Sequence, residues 1–158
     1  MHPRAQAFAE TARDRYGFDP EVHQFEAGTA TAEAAARAVG CSVGQIASSL
    51  AFAADGDLVV VVTSGANRVS ESKLAGVLGV PGSAVGMADP DRIEADLGWA
   101  IGGVPPICHD SAVPVYLDGT LLDHDTVWAA AGTPEAVFPI APGRLRDLAD
   151  ATAVDVAE

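Results

Sequence analysis

Five consecutive apolar residues, Leu58-Val59-Val60-Val61-Val62, follow an Asp55-Gly56 pair and a second, mostly apolar run, Ser48 to Ala54. Side chains along a strand point alternately to opposite faces, so a strand with water on one side alternates apolar and polar residues. The valine run does not alternate, and β-branched side chains favour extended backbone. It is predicted to be a central strand buried on both faces. Asp-Gly between two such runs supplies the positive-φ residues of a tight hairpin turn. The chain is therefore built around a hairpin of Ser48–Ala54 and Asp57–Thr63, with further layers on both sides.

The flanking pattern supplies those layers. Helices are predicted over 3–16, 32–39, 71–78, 90–97 and 142–150. Each has a start or stop signal: Pro3 and Gly17, Thr31 and Gly40, Ser70 and Gly79, Asp89-Pro90, and Pro142. Ser42 and Gln45 have the spacing of a capping box for one short helical turn. Gly28 to Thr31 reads as a loop. Shorter strands are predicted at 22–25, within 80–87, at 114–117, 120–122, 127–131, 136–140 and 153–156. Asp118-Gly119 is read as the turn between the strands at 114–117 and 120–122. Strands occur both as hairpins and between helices, which predicts an α/β (mixed α+β) fold with a mixed sheet and helices outside.

The 158 residues, 49% of them hydrophobic, suit a single domain spanning 1–158 with a substantial core. Nine basic residues against 22 acidic ones give a net charge of −13. Phosphate contacts dominate non-specific nucleic-acid affinity, so this charge argues against a DNA or RNA coat protein. Cys41 and Cys108 are expected to be free thiols in a reducing compartment. The first residues carry charges throughout and lack the apolar core of a signal peptide. The longest apolar run falls far short of a membrane span. A cytoplasmic protein without a membrane partner is expected.

Gly98 to His109 holds three glycines and two adjacent prolines, with no charged side chain before His109. Glycine allows close approach of a ligand or another backbone, and proline fixes φ. Such a segment is a rigid loop that offers bare backbone groups. Conventional chemistry is poorly represented elsewhere. Lys73 is the only lysine, and its surface-helix position suits a solvated charge. Cys108, His109 and His124 have none of the spacings of a zinc site, and adjacent residues of a strand face opposite sides. No phosphate-binding glycine motif precedes a helix. No metal and no cofactor are expected.

The sequence GWAIGGVPPICH resembles the Gly-Gly-Val-Pro-Pro loop of the YbaK family, which is related to the editing insertion of bacterial prolyl-tRNA synthetase. Three further segments agree with that family in the same order. They are Thr31 to Phe52 (TAEAAARAVG and GQIASSLAF), Ser64 to Gly79 (SGANRVSESKLAGVLG), and Val115 to Leu148. The resemblance spans roughly residues 20 to 156 and implies a curved mixed sheet ringed by helices.

It also implies hydrolysis in trans of wrong amino acids from tRNA. Gly102, Gly103 and Ser48 are the implied catalytic positions. Thr31, Gly65, Asn67, Arg68, Val104, Pro105, Pro106, His109 and Asp118 are the implied substrate-binding positions. The implied partner is the aminoacylated tRNA 3′ end, bound weakly and transiently, with contact to a synthetase as a further option. Ser48 stands where the family carries a lysine important for activity. A second reading is therefore a binding module that keeps the pocket and has lost turnover. Both readings expect Ser48, Gly102, Gly103 and Pro105 to line one cleft, with Thr31 and Arg68 near it.

Overall fold

A computed structural model describes residues 1–26 and 31–158, so the loop expected from Gly28 lies largely outside the described residues. The hairpin is formed by β2 (Ile46–Ala54) and β3 (Asp57–Ser64), paired from Ala47↔Ser64 to Ala54↔Asp57. Asp55 and Gly56 have φ of 50° and 87°, the positive values that the tight turn requires. β3 is buried on both sides as its sequence predicts. Val60 and Val62 enter the larger core, whereas Val59 and Val61 enter a second one.

Among the described residues six more strands extend the sheet. They are β1 (His23–Gln24), β4 (Val85–Met87), β5 (Val115–Asp118), β6 (Val127–Ala130), β7 (Ala136–Ile140) and β8 (Thr152–Val154). The order is β1-β7-β6-β2-β3-β5-β8, with β4 pairing the far half of β2. The β2–β6, β3–β5 and β5–β8 pairs are parallel and the rest antiparallel, so the sheet is mixed.

Among the described residues five helices flank it: α1 (Pro3–Tyr16), α2 (Ala32–Val39), α3 (Glu71–Leu78), α4 (Pro90–Leu97) and α5 (Pro142–Ala149). Thr31, Ser70 and Asp89 cap α2, α3 and α4 by accepting from the backbone N–H of Ala34, Lys73 and Asp91. Phe8 of α1, Ile93 and Leu97 of α4 and Leu145 of α5 fill the larger core, Leu74 of α3 the second, and Ala35 and Ala36 of α2 a small third one against Ile46.

Two expectations change. Residues 120–122 are not a strand: Gly119–Asp123 is a 3-10 turn, because the Asp118 carboxylate accepts from the Thr120 N–H and winds the chain back at once. Asp118-Gly119 is thus a cap and not a hairpin turn. The strand expected within 80–87 is confined to β4, since Gly82–Ala84 form a 3-10 turn after Pro81.

Phe8 is fully buried between Phe138 and Trp99, with ring centroids 5.0 and 6.3 Å away. Phe8→Ala is expected to lower stability by about 3–5 kcal/mol, read as an earlier midpoint in urea unfolding.

Candidate functional site

The backbone groups of β2 are not all used by its neighbours. Gly65 N–H donates to Ile46 C=O, which places residues 46, 48, 50, 52 and 54 in hydrogen-bonded register with β3. Residues 47, 49, 51 and 53 turn their N–H and C=O to the other edge. There β6 meets β2 at Ile46 and Ala47, and β4 meets it at Phe52 to Ala54. Ala51 C=O accepts from Ala88 N–H. Between the two strands lies a gap, and no described strand pairs with Ser49 on that side.

A cavity of about 260 Å³ occupies the gap. Small-molecule sites run to roughly 300–1,000 Å³, so this one suits a small group. Its wall holds Ser48, Ser49 and Leu50 of β2, Thr31, Ala32 and Ala35 at the start of α2, Ile93 of α4, Ile101, Gly102 and Val104 of the glycine–proline loop, and Trp128, Ala130 and Val137 of β6 and β7. Among the described lining residues there is no carboxylate, imidazole, thiol or amine. The polar side chains of the described wall are Thr31, Ser48 and Ser49, with hydroxyls, and Trp128, with an indole N–H.

The glycine–proline loop is held from behind. Trp99 is buried and its Nε1–H donates to Cys108 C=O at 2.9 Å, tying the two ends of the loop together. His109 Nε2 bonds Pro105 C=O at 2.8 Å. Tyr16 Oη accepts from Cys108 N–H, and Arg15 donates to His109 C=O. Gly102 has φ of 90°, accessible to glycine at little cost. A Cβ on Gly103 would lie 2.7 Å from Thr133 Cα, so the loop seats on the Thr133 backbone only because that residue is glycine.

The expected cleft is thus formed by part of the expected set. Ser48, Gly102, Val104 and Thr31 share its wall. Gly103 spends its N–H on Ala100 C=O and packs on Thr133. Pro105 gives its carbonyl to His109. Pro106 and His109 line a separate cavity with Arg15 and Tyr16. Arg68 is exposed and lies with Asn67 and Glu71 along a groove that shares Leu50 and Met87 with the main cavity. Gly65 is a packing position, since a Cβ there would be 2.6 Å from Val43 C=O and 2.7 Å from Ala32 Cβ. Sequence reasoning passed over Ser49 and the hydrophobic wall, because residues of β2 and β7 meet only through the sheet.

Cys108 and His109 do not form a catalytic pair. Cys108 has φ of 68°, not the extended backbone assumed from sequence, and its S–H points to Phe8 C=O. Burial pushes its thiol pKa up to about 12, against a smaller opposing effect of Arg15, so the thiol stays protonated at neutral pH. Burial also lowers the pKa of His109 and outweighs the hydrogen bond to Pro105.

Asp118 is buried where β3 and β5 end. It accepts from Ser64 N–H, Thr63 Oγ1–H, Asn67 Nδ2–H and the N–H and Oγ1–H of Thr120. Asn67 and Asp118 therefore brace the turn that presents Arg68.

A family model of the aminoacyl-tRNA editing domain matches residues 26–148. YwhH, an uncharacterised protein of Bacillus subtilis (strain 168), is 33% identical over 130 residues, 80% of each chain. Among solved structures, a candidate trans-editing enzyme for prolyl tRNA synthetase superposes with a TM-score of 0.93 at 37% identity, covering 100% of this chain and 99% of the other. The hypothetical protein APE2540 shares the fold, with a TM-score of 0.85 at 24% identity over 96% of this chain and 99% of the other.

The Asp118 geometry has a pH consequence. Burial alone would raise its pKa, but the hydrogen bonds from Asn67, Thr120 and Ser64 prevail and hold it below the ordinary value of 3.8. A depressed carboxylate pKa stabilises the fold above the unfolded-state pKa of about 3.9, and that stability is lost as pH falls through the folded-state value. Urea unfolding from pH 6 to pH 2.5 is expected to show stability falling below about pH 4. The decline should be shallower in Asp118→Asn.

Proposed function

The chain belongs to the aminoacyl-tRNA editing domain family, and from that premise we propose that it is a trans-acting deacylase that removes a small misattached amino acid, with tRNA-Pro as the first substrate to test. Membership in this family and the likeness to a trans-editing protein support hydrolysis of aminoacyl-tRNA. The observation that carries the finer reading is the cavity in the sheet gap: small, mostly apolar, and furnished with hydroxyls and backbone groups.

The reaction this wall can serve needs no side-chain nucleophile. A water oxygen attacks the ester carbonyl carbon, the carbon–oxygen bond to the ribose breaks, and the proton from water passes to the departing ribose oxygen. Free amino acid and tRNA result. The tRNA 3′ end supplies the hydroxyl that positions the water, as the family resemblance implies. Gly102 N–H and the Ser48 hydroxyl are the groups proposed to face the oxyanion. One well-aimed donor of this kind contributes about 3 kcal/mol to the transition state. The apolar wall limits the size of the aminoacyl side chain sterically.

Arg68 beside the cavity is the proposed grip on a phosphate of the 3′ end. With Glu71 and Glu158 along the same groove and −13 overall, that grip is weak and the encounter transient. The reaction belongs in the cytoplasm, where charged tRNA is found, and contact with a synthetase would bring the substrate close. No described helix is long and apolar enough to cross a membrane.

The absence of an amine or carboxylate among the described lining residues, with Ser48 in the lysine position, favours one second reading: a module that binds the aminoacyl group without turning it over. One set of assays separates the two. Ala-, Ser- and Cys-charged tRNA-Pro are expected to lose their amino acid faster than in buffer, and no release for any of them would overturn the deacylase reading. Ser48→Lys is expected to raise kcat/KM about tenfold, equal to about 1.4 kcal/mol of barrier. Substantial wild-type turnover, unchanged in Ser48→Lys, would reject the binding-only reading.

A further inference from the structure

Ser49 is the unexplained residue of the cavity wall. Its Oγ is buried and has no hydrogen-bond partner among the described residues, although the residue lines the cavity. It pairs across the hairpin with Val62, whose side chain lies in the larger core. On that face the cavity is walled by Ile93 and Val104, both of which belong to the larger core. The two other hydroxyls of the wall are placed differently. Thr31 Oγ1 accepts from Ala34 N–H as the cap of α2, and Ser48 faces the opposite side of the sheet beside Thr63. Ser49 also presents its own N–H and C=O to the gap, by the register of β2 against β3.

A buried hydroxyl without a partner is costly to keep; a ligand that supplies the partner removes that cost, and one that does not leaves it in place. A methyl side chain would leave Ser49 Oγ unpaired. A side chain with its own hydroxyl would pair it. The adjacent Ser49 C=O can accept from the α-ammonium of the same aminoacyl group, which orients the side chain toward Oγ. We propose that Ser49 is a specificity-determining residue and that the cavity selects aminoacyl groups bearing a side-chain hydroxyl, seryl before alanyl. The inference rests on the deacylase reading for its ligand and names the substrate class of that site.

Binding of two stable amides tests it without depending on turnover: 3′-seryl-amino-3′-deoxyadenosine and its alanyl counterpart, titrated by calorimetry. The seryl amide is expected to bind about tenfold more tightly, the worth of one hydrogen bond to a buried hydroxyl. Ser49→Ala should shrink the preference to within about twofold, and Ser49→Thr, which keeps the hydroxyl, should retain it. Removing an unpaired hydroxyl should also raise the melting temperature of the free Ser49→Ala protein, by about 2–4 °C. Equal affinity for the two amides, a preference unchanged in Ser49→Ala, no binding of either amide, or a lower melting temperature in Ser49→Ala would overturn the proposal. Seryl preference with no ester hydrolysis would remove the deacylase reading and leave Ser49 as the selector. Ester hydrolysis with no seryl preference would do the reverse.

Discussion

Everything in this molecule depends on β3 being buried on both faces. Val59 and Val61 sit in one core and Val60 and Val62 in another, so helices are required on both sides of the hairpin. Pairing with β2 on one edge and β5 on the other satisfies its backbone. β2 is the strand that gives way. Its second edge is divided between β6 and β4, which approach from different parts of the chain and do not meet. A hole in a sheet is ordinarily expensive because it strands backbone donors and acceptors. Here it is the cavity.

The cavity is closed by a loop whose rigidity comes from packing beneath it. Trp99 lies under the Arg4 guanidinium, 4.2 Å from its ring centroid, and over Gly132, where a Cβ would come within 2.6 Å of the ring. Gly103 rests on Thr133 in the same way. The α1 helix, the turn after β6 and the loop are therefore one packed unit, and the part of the loop at the cavity is left with little freedom. Preorganised backbone donors stabilise developing charge without having to reorganise. A cavity whose described lining has no charged side chain can make use of that more readily than of acid–base chemistry.

Several residues of the family-like segments have structural work. Gly65 lets the start of α2 pack at the end of β3. Asn67 and Asp118 join the turn after β3 to the end of β5. Lys73, the only lysine, pairs with Asp155 and donates to Ala157 C=O, holding the last strand segment against α3. Such residues keep the wall and the Arg68 groove in register without lining the cavity.

The helices, the central hairpin and most strands were legible in the sequence because their signals are local: caps, proline at the first turn, glycine at the last, and the unbroken valine run. The Asp118 turn was misread because Asp-Gly serves equally as a hairpin turn and as a helical cap, and its partners Ser64 and Asn67 are more than fifty residues away. The family resemblance carried by the sequence was enough to bring Ser48, Thr31 and the glycine–proline loop together as one expected cleft. It took the assembled fold to place Gly103 and Pro105 behind the loop and outside the cavity wall, to set Arg68 in a neighbouring groove, and to leave Ser49 Oγ without a partner among the described residues. Those outcomes depend on which strand edge goes unmatched, and an unmatched edge is a property of the assembled sheet that no single segment encodes.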